Sequence, residues 1–159
     1  MTNMYVAGPM RNRPLYNFQE FENVTKWGVH IQNWVVTSPH EIDMEEGRVQ
    51  FECRIEWSNN NPYRQFTKVT LAKTFDMVSA LRTDFKAILD CDGIVMLEGW
   101  QESMGAIKEL SVAKWAGLNC YVVHKSPIST YRLSKLEVSE ATLGELLSAH
   151  NKGSLIKAS

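Results

Sequence analysis

Four short apolar runs, each closed by a turn signal and separated by longer polar-patterned stretches, constrain the fold of this chain more than any other feature. The first, Asn3 to Ala7, stops at Gly8-Pro9. The second centres on Trp34-Val35-Val36 and stops at Ser38-Pro39. Gly93-Ile94-Val95-Met96-Leu97 and the segment Asn119 to Val123 have the unbroken apolar character of strands buried on both faces.

The intervening stretches are read as helices. Phe18, Phe21, Val24 and Trp27 recur at helical spacing between Tyr16 and Trp27, with Gly28 as a stop. Ser103 is placed to cap a helix that runs to about Ala116, with Gly117 as its left-handed stop. From Tyr63 to Leu89 the residues Phe66, Val69, Phe75, Val78, Leu81, Phe85 and Ile88 predict a long helix with one break. His40 to Asn61 mixes charges with some apolar alternation and predicts an irregular excursion or a short hairpin. A further helix is expected near Ala141 to His150, followed by a polar end.

Strands that alternate with helices imply parallel pairing through right-handed crossovers. The expected fold is a doubly wound α/β domain, with a Rossmann- or flavodoxin-like parallel sheet of four to five strands flanked by helices. Its expected extent is residues 1–124, with 125–159 as a helical extension and tail. Ligands of such sheets bind beyond the carboxyl ends of the strands. Three loops meet that condition: Gly8 to Arg13, Ser38 to Glu46, and Glu98 to Gly105.

Composition excludes several classes of function. The chain has 159 residues, 44% of them hydrophobic, and 17 Lys+Arg against 18 Asp+Glu for a net charge of −1. It is therefore neither a disordered chain nor a polyanion binder driven by bulk charge, so no polymeric nucleic acid is expected. No apolar run approaches the roughly 18 residues that would predict a membrane span. Cys53, Cys91 and Cys120 are isolated and form no CxxC or Cys/His cluster. Neither a metal site nor a disulfide framework is expected, and no cofactor is called for. The amino-terminal residues lack a secretory pattern, and a cytoplasmic setting is the expectation.

Several residues at the predicted sheet edge could carry chemistry. Gly8 would permit close backbone approach, and Arg11 offers a forked cation suited to phosphate. Ser103 and Gly105 open a helix whose first-turn amides favour an anion. Glu109 lies about a turn inside that helix, where its ionised form could act as a nucleophile. Each feature alone is also common in proteins that bind nothing. Spacing leaves Asp84 pointing either into the sheet edge or into water. Trp100, in the loop beside Ser103, could stack on a base, close a lid or pack.

Taken together, three segments resemble the nucleoside 2-deoxyribosyltransferase superfamily, and most closely its small, often phage-borne members. These are Met4-Tyr5-Val6-Ala7-Gly8-Pro9-Met10; Asp84 with Asp92-Gly93-Ile94-Val95-Met96-Leu97; and Gly99-Trp100-Gln101-Glu102-Ser103-Met104-Gly105-Ala106 with Glu109. The last, W-x-x-S-x-G-A-x-x-E, is the most specific. The resemblance spans residues 3–124 and leaves 43–62 unaccounted for.

The resemblance implies cleavage of an N-glycosidic bond with Glu109 as nucleophile, Tyr5 tuning it, and Asp84 holding the sugar or protonating the leaving base. Gly8, Pro9, Met10, Arg11, Trp100, Ser103 and Gly105 would contact the substrate. Ser103, where nucleoside-specific members have an aspartate, favours a nucleoside 5′-monophosphate as substrate, because a hydroxyl at a helix start binds a dianion that a carboxylate would repel. The expected activity is hydrolysis to free base and sugar 5-phosphate. The alternatives are base exchange on free deoxynucleosides and a non-catalytic nucleotide-binding module. Gly8-Pro9-Met10 departs from the Gly-Ser-Ile turn of the monophosphate hydrolases and lacks its serine donor; Arg13 or a residue of 43–62 is the expected substitute. The resemblance also implies a homodimer or a larger homo-oligomer.

Overall fold

A computed structural model describes residues 1–58, 60–128 and 130–158, with 152–158 described as helix backbone only. The strands are β1 (Thr2–Ala7), β2 (Trp34–Thr37), β3 (Val49–Ser58), β4 (Asn61–Leu71), β5 (Gly93–Met96), β6 (Asn119–Lys125) and β7 (Tyr131–Lys135). The helices are α1 (Phe18–His30), α2 (Pro39–Glu45), α3 (Met77–Leu89), α4 (Met104–Trp115) and α5 (Glu140–Ala158). Five strands form the main sheet in the order β2-β1-β5-β6-β7. The first four pair in parallel, and β7 closes the edge antiparallel to β6. The fold is the expected Rossmann- or flavodoxin-like sheet, flanked by helices.

The period-two alternation of a strand divides β1 between two cores. Met4 and Val6 face α1 and join Phe21, Val24, Trp34, Val95 and Leu97. Tyr5 and Ala7 face the opposite layer and join Ile88 of α3, Ile107 and Leu110 of α4, and Leu143 of α5. All four residues of β5 are buried, which accounts for its unbroken apolar sequence. The chain passes from β1 to β2 on one side, and later from β5 to β6 on the other. The strand order thus reverses between β1 and β5, where an open α/β sheet places its crevice.

Residues 63–89 do not form one helix. Asn61–Leu71 is a strand, and only Met77–Leu89 is helical. The helix-like spacing of Phe66 and Val69 has a specific cause. The β3–β4 ladder pairs Cys53 with Phe66 and Glu52 with Lys68, leaving Thr67 as an extra residue opposite the Glu52–Cys53 step. This bulge shifts the parity of β4, so that two residues three apart both face inward. Phe66 and Val69 are both buried, with Phe18 and Val49, in a third small core.

The excursion at 40–61 proves to be α2 followed by β3, the first strand of a long hairpin. Beyond residue 124 the chain continues the same sheet through β7, and Leu143 of α5 is buried against the α3–α4 layer. No helix among the described residues is long and apolar enough to cross a membrane.

Candidate active site

Tyr5 and Glu109 meet at the reversal of strand order. Tyr5 lies on β1 opposite Ile94 of β5, with its side chain in the α3–α4 layer. Glu109 lies on the face of α4 that carries Ala106, Leu110 and Ala113, so it is buried for the same reason they are. The Tyr5 hydroxyl donates a hydrogen bond to Glu109 Oε2. Glu109 retains only 5% of its accessible surface. A carboxyl group this dry has one polar neighbour that favours its charge, and that neighbour is Tyr5.

Two further carboxyl groups occupy the same region. Asp84 is buried on α3, and its Oδ1 has no hydrogen-bond partner among the described residues. Asp43 is buried on α2. Arg48, just before β3, approaches Asp43 Oδ1 with Nη1 at 3.4 Å and donates from Nη2 to Thr83 Oγ1 of α3 at 2.9 Å. The guanidinium therefore ties the α2–β3 corner to α3 beside Asp84.

Protonation in this cluster is set by burial and by mutual repulsion. Burial, and then the charge of Asp43, push Asp84 up to about 7, against the pull of Arg48. Burial raises Asp43 to about 6, with Arg48 again opposing. Burial and Asp84 together push Glu109 well above the usual carboxylate range, and the Tyr5 hydrogen bond works the other way. Burial and the neighbouring carboxyls push the Tyr5 phenol up as well, so it stays a donor. A cluster of this kind holds protons near neutrality and can hand them on.

The structure thus gathers Tyr5, Asp84 and Glu109, three of the sequence-predicted residues. The others are placed differently. Ser103 Oγ accepts from the Ala106 amide at 3.2 Å and caps α4, as its position suggests. Gly105 faces open space: a Cβ there would have Ser103 Oγ, at 3.9 Å, as its nearest neighbour. Gly8 is required by packing: a Cβ there would lie 2.7 Å from Leu97 Cβ. Pro9 accepts through its carbonyl from Asn17 Nδ2 at 2.8 Å, which fixes the turn. Met10 packs between two of the cores.

Arg11 lines a cleft of about 590 Å³ together with Arg13, Tyr16, Val69 and Leu71, on the side of the β3–β4 hairpin. Trp100 is buried in the core with Ile107 and Leu110. Of the three roles the sequence leaves open, packing is the one this burial describes. Arg13 is paired with Glu102, so this candidate phosphate partner is already engaged by an acid.

Asp43 and Arg48 do not stand out in the sequence. The Ser38 to Glu46 loop is placed at the correct sheet edge by topology, and a titratable side chain within it is the available signal for Asp43. Arg48 gives none, because only the α2–β3 turn aims it at α3.

A Rossmann- or flavodoxin-like sheet with a buried tyrosine–carboxyl cluster at its strand-order reversal defines the class of this protein. Residues 2–122 match the family model described as a domain of unknown function, DUF4406, and the chain belongs to that family. No curated protein and no solved structure matches it.

Proposed function

We propose that this protein hydrolyses the N-glycosidic bond of a nucleoside or deoxynucleoside 5′-monophosphate, releasing the free base and sugar 5-phosphate. The observation that supports this most is the Tyr5–Glu109 hydrogen bond inside a dry cluster shared with Asp84. Asp43 has Arg48 beside it; of the two remaining acids, only Glu109 has a hydrogen-bond donor for an ionised oxygen among the described residues, so the reaction as proposed puts the charge there. The proton is best held where an oxygen has no partner, on Asp84.

In the first step a Glu109 oxygen bonds to the anomeric carbon as the carbon–nitrogen bond breaks. The departing base takes the bond's electron pair and the Asp84 proton. Water then attacks the same carbon, returns its proton to Asp84 and frees Glu109, which is the double displacement of retaining glycosyl chemistry. As the covalent bond forms, the negative charge of Glu109 is consumed in the ester and the Tyr5 hydrogen bond to it weakens; the bond strengthens again when Glu109 is freed. Ser103 keeps a hydroxyl hydrogen to donate, at a helix start suited to the 5′-phosphate.

The test is chromatographic detection of free base from each common nucleoside 5′-monophosphate and each matching nucleoside, with no acceptor base present. The expected result is release from one or more monophosphates, with Glu109→Gln lowering it by roughly three orders of magnitude or more while the circular dichroism is unchanged. Release that depends on an added acceptor base would assign base exchange instead. Unaltered release by Glu109→Gln would refute the nucleophile.

A further inference from the structure

The β3–β4 hairpin has one closed edge and one open edge. The outer edge of β4 is covered by α1: Gln19 Oε1 accepts from the Phe66 amide at 2.8 Å, and Gln19 Nε2 donates to the Arg64 carbonyl at 3.0 Å. Glu22 Oε1 accepts from the Arg64 amide at 3.4 Å. Among the described residues, nothing outside the hairpin bonds the backbone of Val49–Ser58. A ten-residue edge strand left open in this way is a template for another strand.

The side chains of β3 sort strictly by face. Val49, Phe51, Cys53, Ile55 and Trp57 share the face that packs on the body, and Gln50, Glu52, Arg54, Glu56 and Ser58 share the other. The apolar face outruns the core beneath it. Val49 is buried, but Phe51 is 40% exposed, Ile55 56% and Trp57 70%. Large apolar side chains in a row along an open edge are an unfinished sheet.

We infer that β3 is completed by β3 of a second copy of this chain, antiparallel about a two-fold axis at Cys53. The charge pattern selects this register. Centred on Cys53, Glu52 meets Arg54 of the second copy twice, Phe51 meets Ile55 twice, and Val49 meets Trp57 twice. Centred one residue further on, Arg54 would face Arg54 and Glu52 would face Glu56; the apolar residues would still face apolar ones, but every charge would meet its like. Centred on Ile55, opposite charges pair again, but Phe51 runs past the end of the strand at Ser58. The result is a four-stranded sheet, β4-β3-β3-β4, with one continuous apolar face. This surface is independent of the chemistry at Glu109, and base release is not its readout.

Sedimentation velocity of the full chain over a range of concentrations tests it, with circular dichroism to confirm the fold of each variant. The expected result is a dimer that Arg54→Glu weakens by at least about tenfold, through two like-charge pairs. Glu52→Arg does the same, and the double variant Glu52→Arg/Arg54→Glu restores association. In a Cys91→Ser/Cys120→Ser background, mild oxidation links the two copies through Cys53, and Cys53→Ser abolishes the link. A monomer at every concentration up to millimolar, a dimer indifferent to Arg54→Glu, or a double variant that stays monomeric overturns the proposal.

Discussion

Asp84 titrates near pH 7 because burial and then Asp43 raise it, and the consequence for stability has a definite sign. Below pH 4 both the folded and unfolded carboxyls are protonated, and nothing is lost. Between about 4 and 7 the unfolded chain releases a proton that the folded chain keeps, so stability falls as pH rises; above 7 the deficit is complete. Asp84→Asn is therefore expected to stabilise the fold by roughly 2 kcal/mol at pH 8 and hardly at all at pH 4, read from urea unfolding at the two values. The same variant should lose base release if Asp84 is the proton donor. Wild-type release should decline as pH rises through about 7. Tyr5→Phe should keep the fold and reduce kcat by about a hundredfold, because Glu109 then carries its charge without a donor. Tyr5, Asp84 and Glu109 are legible in the chain through a segment pattern. Their meeting is not, because burial of an acid on a helix depends on what the opposite layer supplies. Trp100 shows the limit from the other side: a tryptophan in a loop reads equally as stacking face, lid or packing, and its burial with Ile107 and Leu110 becomes visible only in the folded chain.

At the scale of elements, the hairpin is held to the body by a buried ionic knot. Arg64 of β4 bonds Glu22 of α1 through Nε at 3.0 Å and Nη2 at 2.7 Å, and also pairs with Glu41 of α2. His40 Nε2 meets Glu22 Oε2 at 3.0 Å, and the His40 Nδ1 atom is bonded by Ser38. Burial alone would raise Glu22, yet the hydrogen bonds from His40 and Arg64 hold it down to about 2. This contribution is present above pH 4.5 and is lost as pH falls toward 2, opposite in sign to that of Asp84. Arg64→Met should destabilise the fold by about 3 kcal/mol, since it leaves Glu22 in the interior with His40 as its remaining partner; Glu22→Gln in the same chain should recover part of the loss. Thermal unfolding of the single and double variants measures both. The strands of the main sheet are legible as apolar runs because their inner positions are enclosed by helices. The hairpin is not, because its bulge presents Phe66 and Val69 at the spacing of a helix and its apolar alternation on β3 is only partly covered.

For the whole molecule, the two sheets differ in how deeply they are built in. β5 is buried throughout, between strands on both sides, whereas β3 has one neighbour and mostly exposed residues. Hydrogen exchange of the dilute protein should therefore protect the β5 amides up to global unfolding and release those of β3 through local opening. Equal protection of the two strands in dilute solution would contradict this ordering. The candidate site draws Tyr5, Asp43, Asp84 and Glu109 from β1, α2, α3 and α4, so it exists only when both halves of the main sheet are assembled.

The single extra residue at Thr67 carries a last consequence, for how this protein can change over generations. Because the oily side of β4 switches parity there, loss of that one amino acid would turn the stretch of β4 on one side of it inside out. Lengthening or shortening at the tip is tolerable only in matched pairs, one per arm. Descendants of this chain should therefore vary the ribbon's reach in even steps, while the odd residue stays where it is.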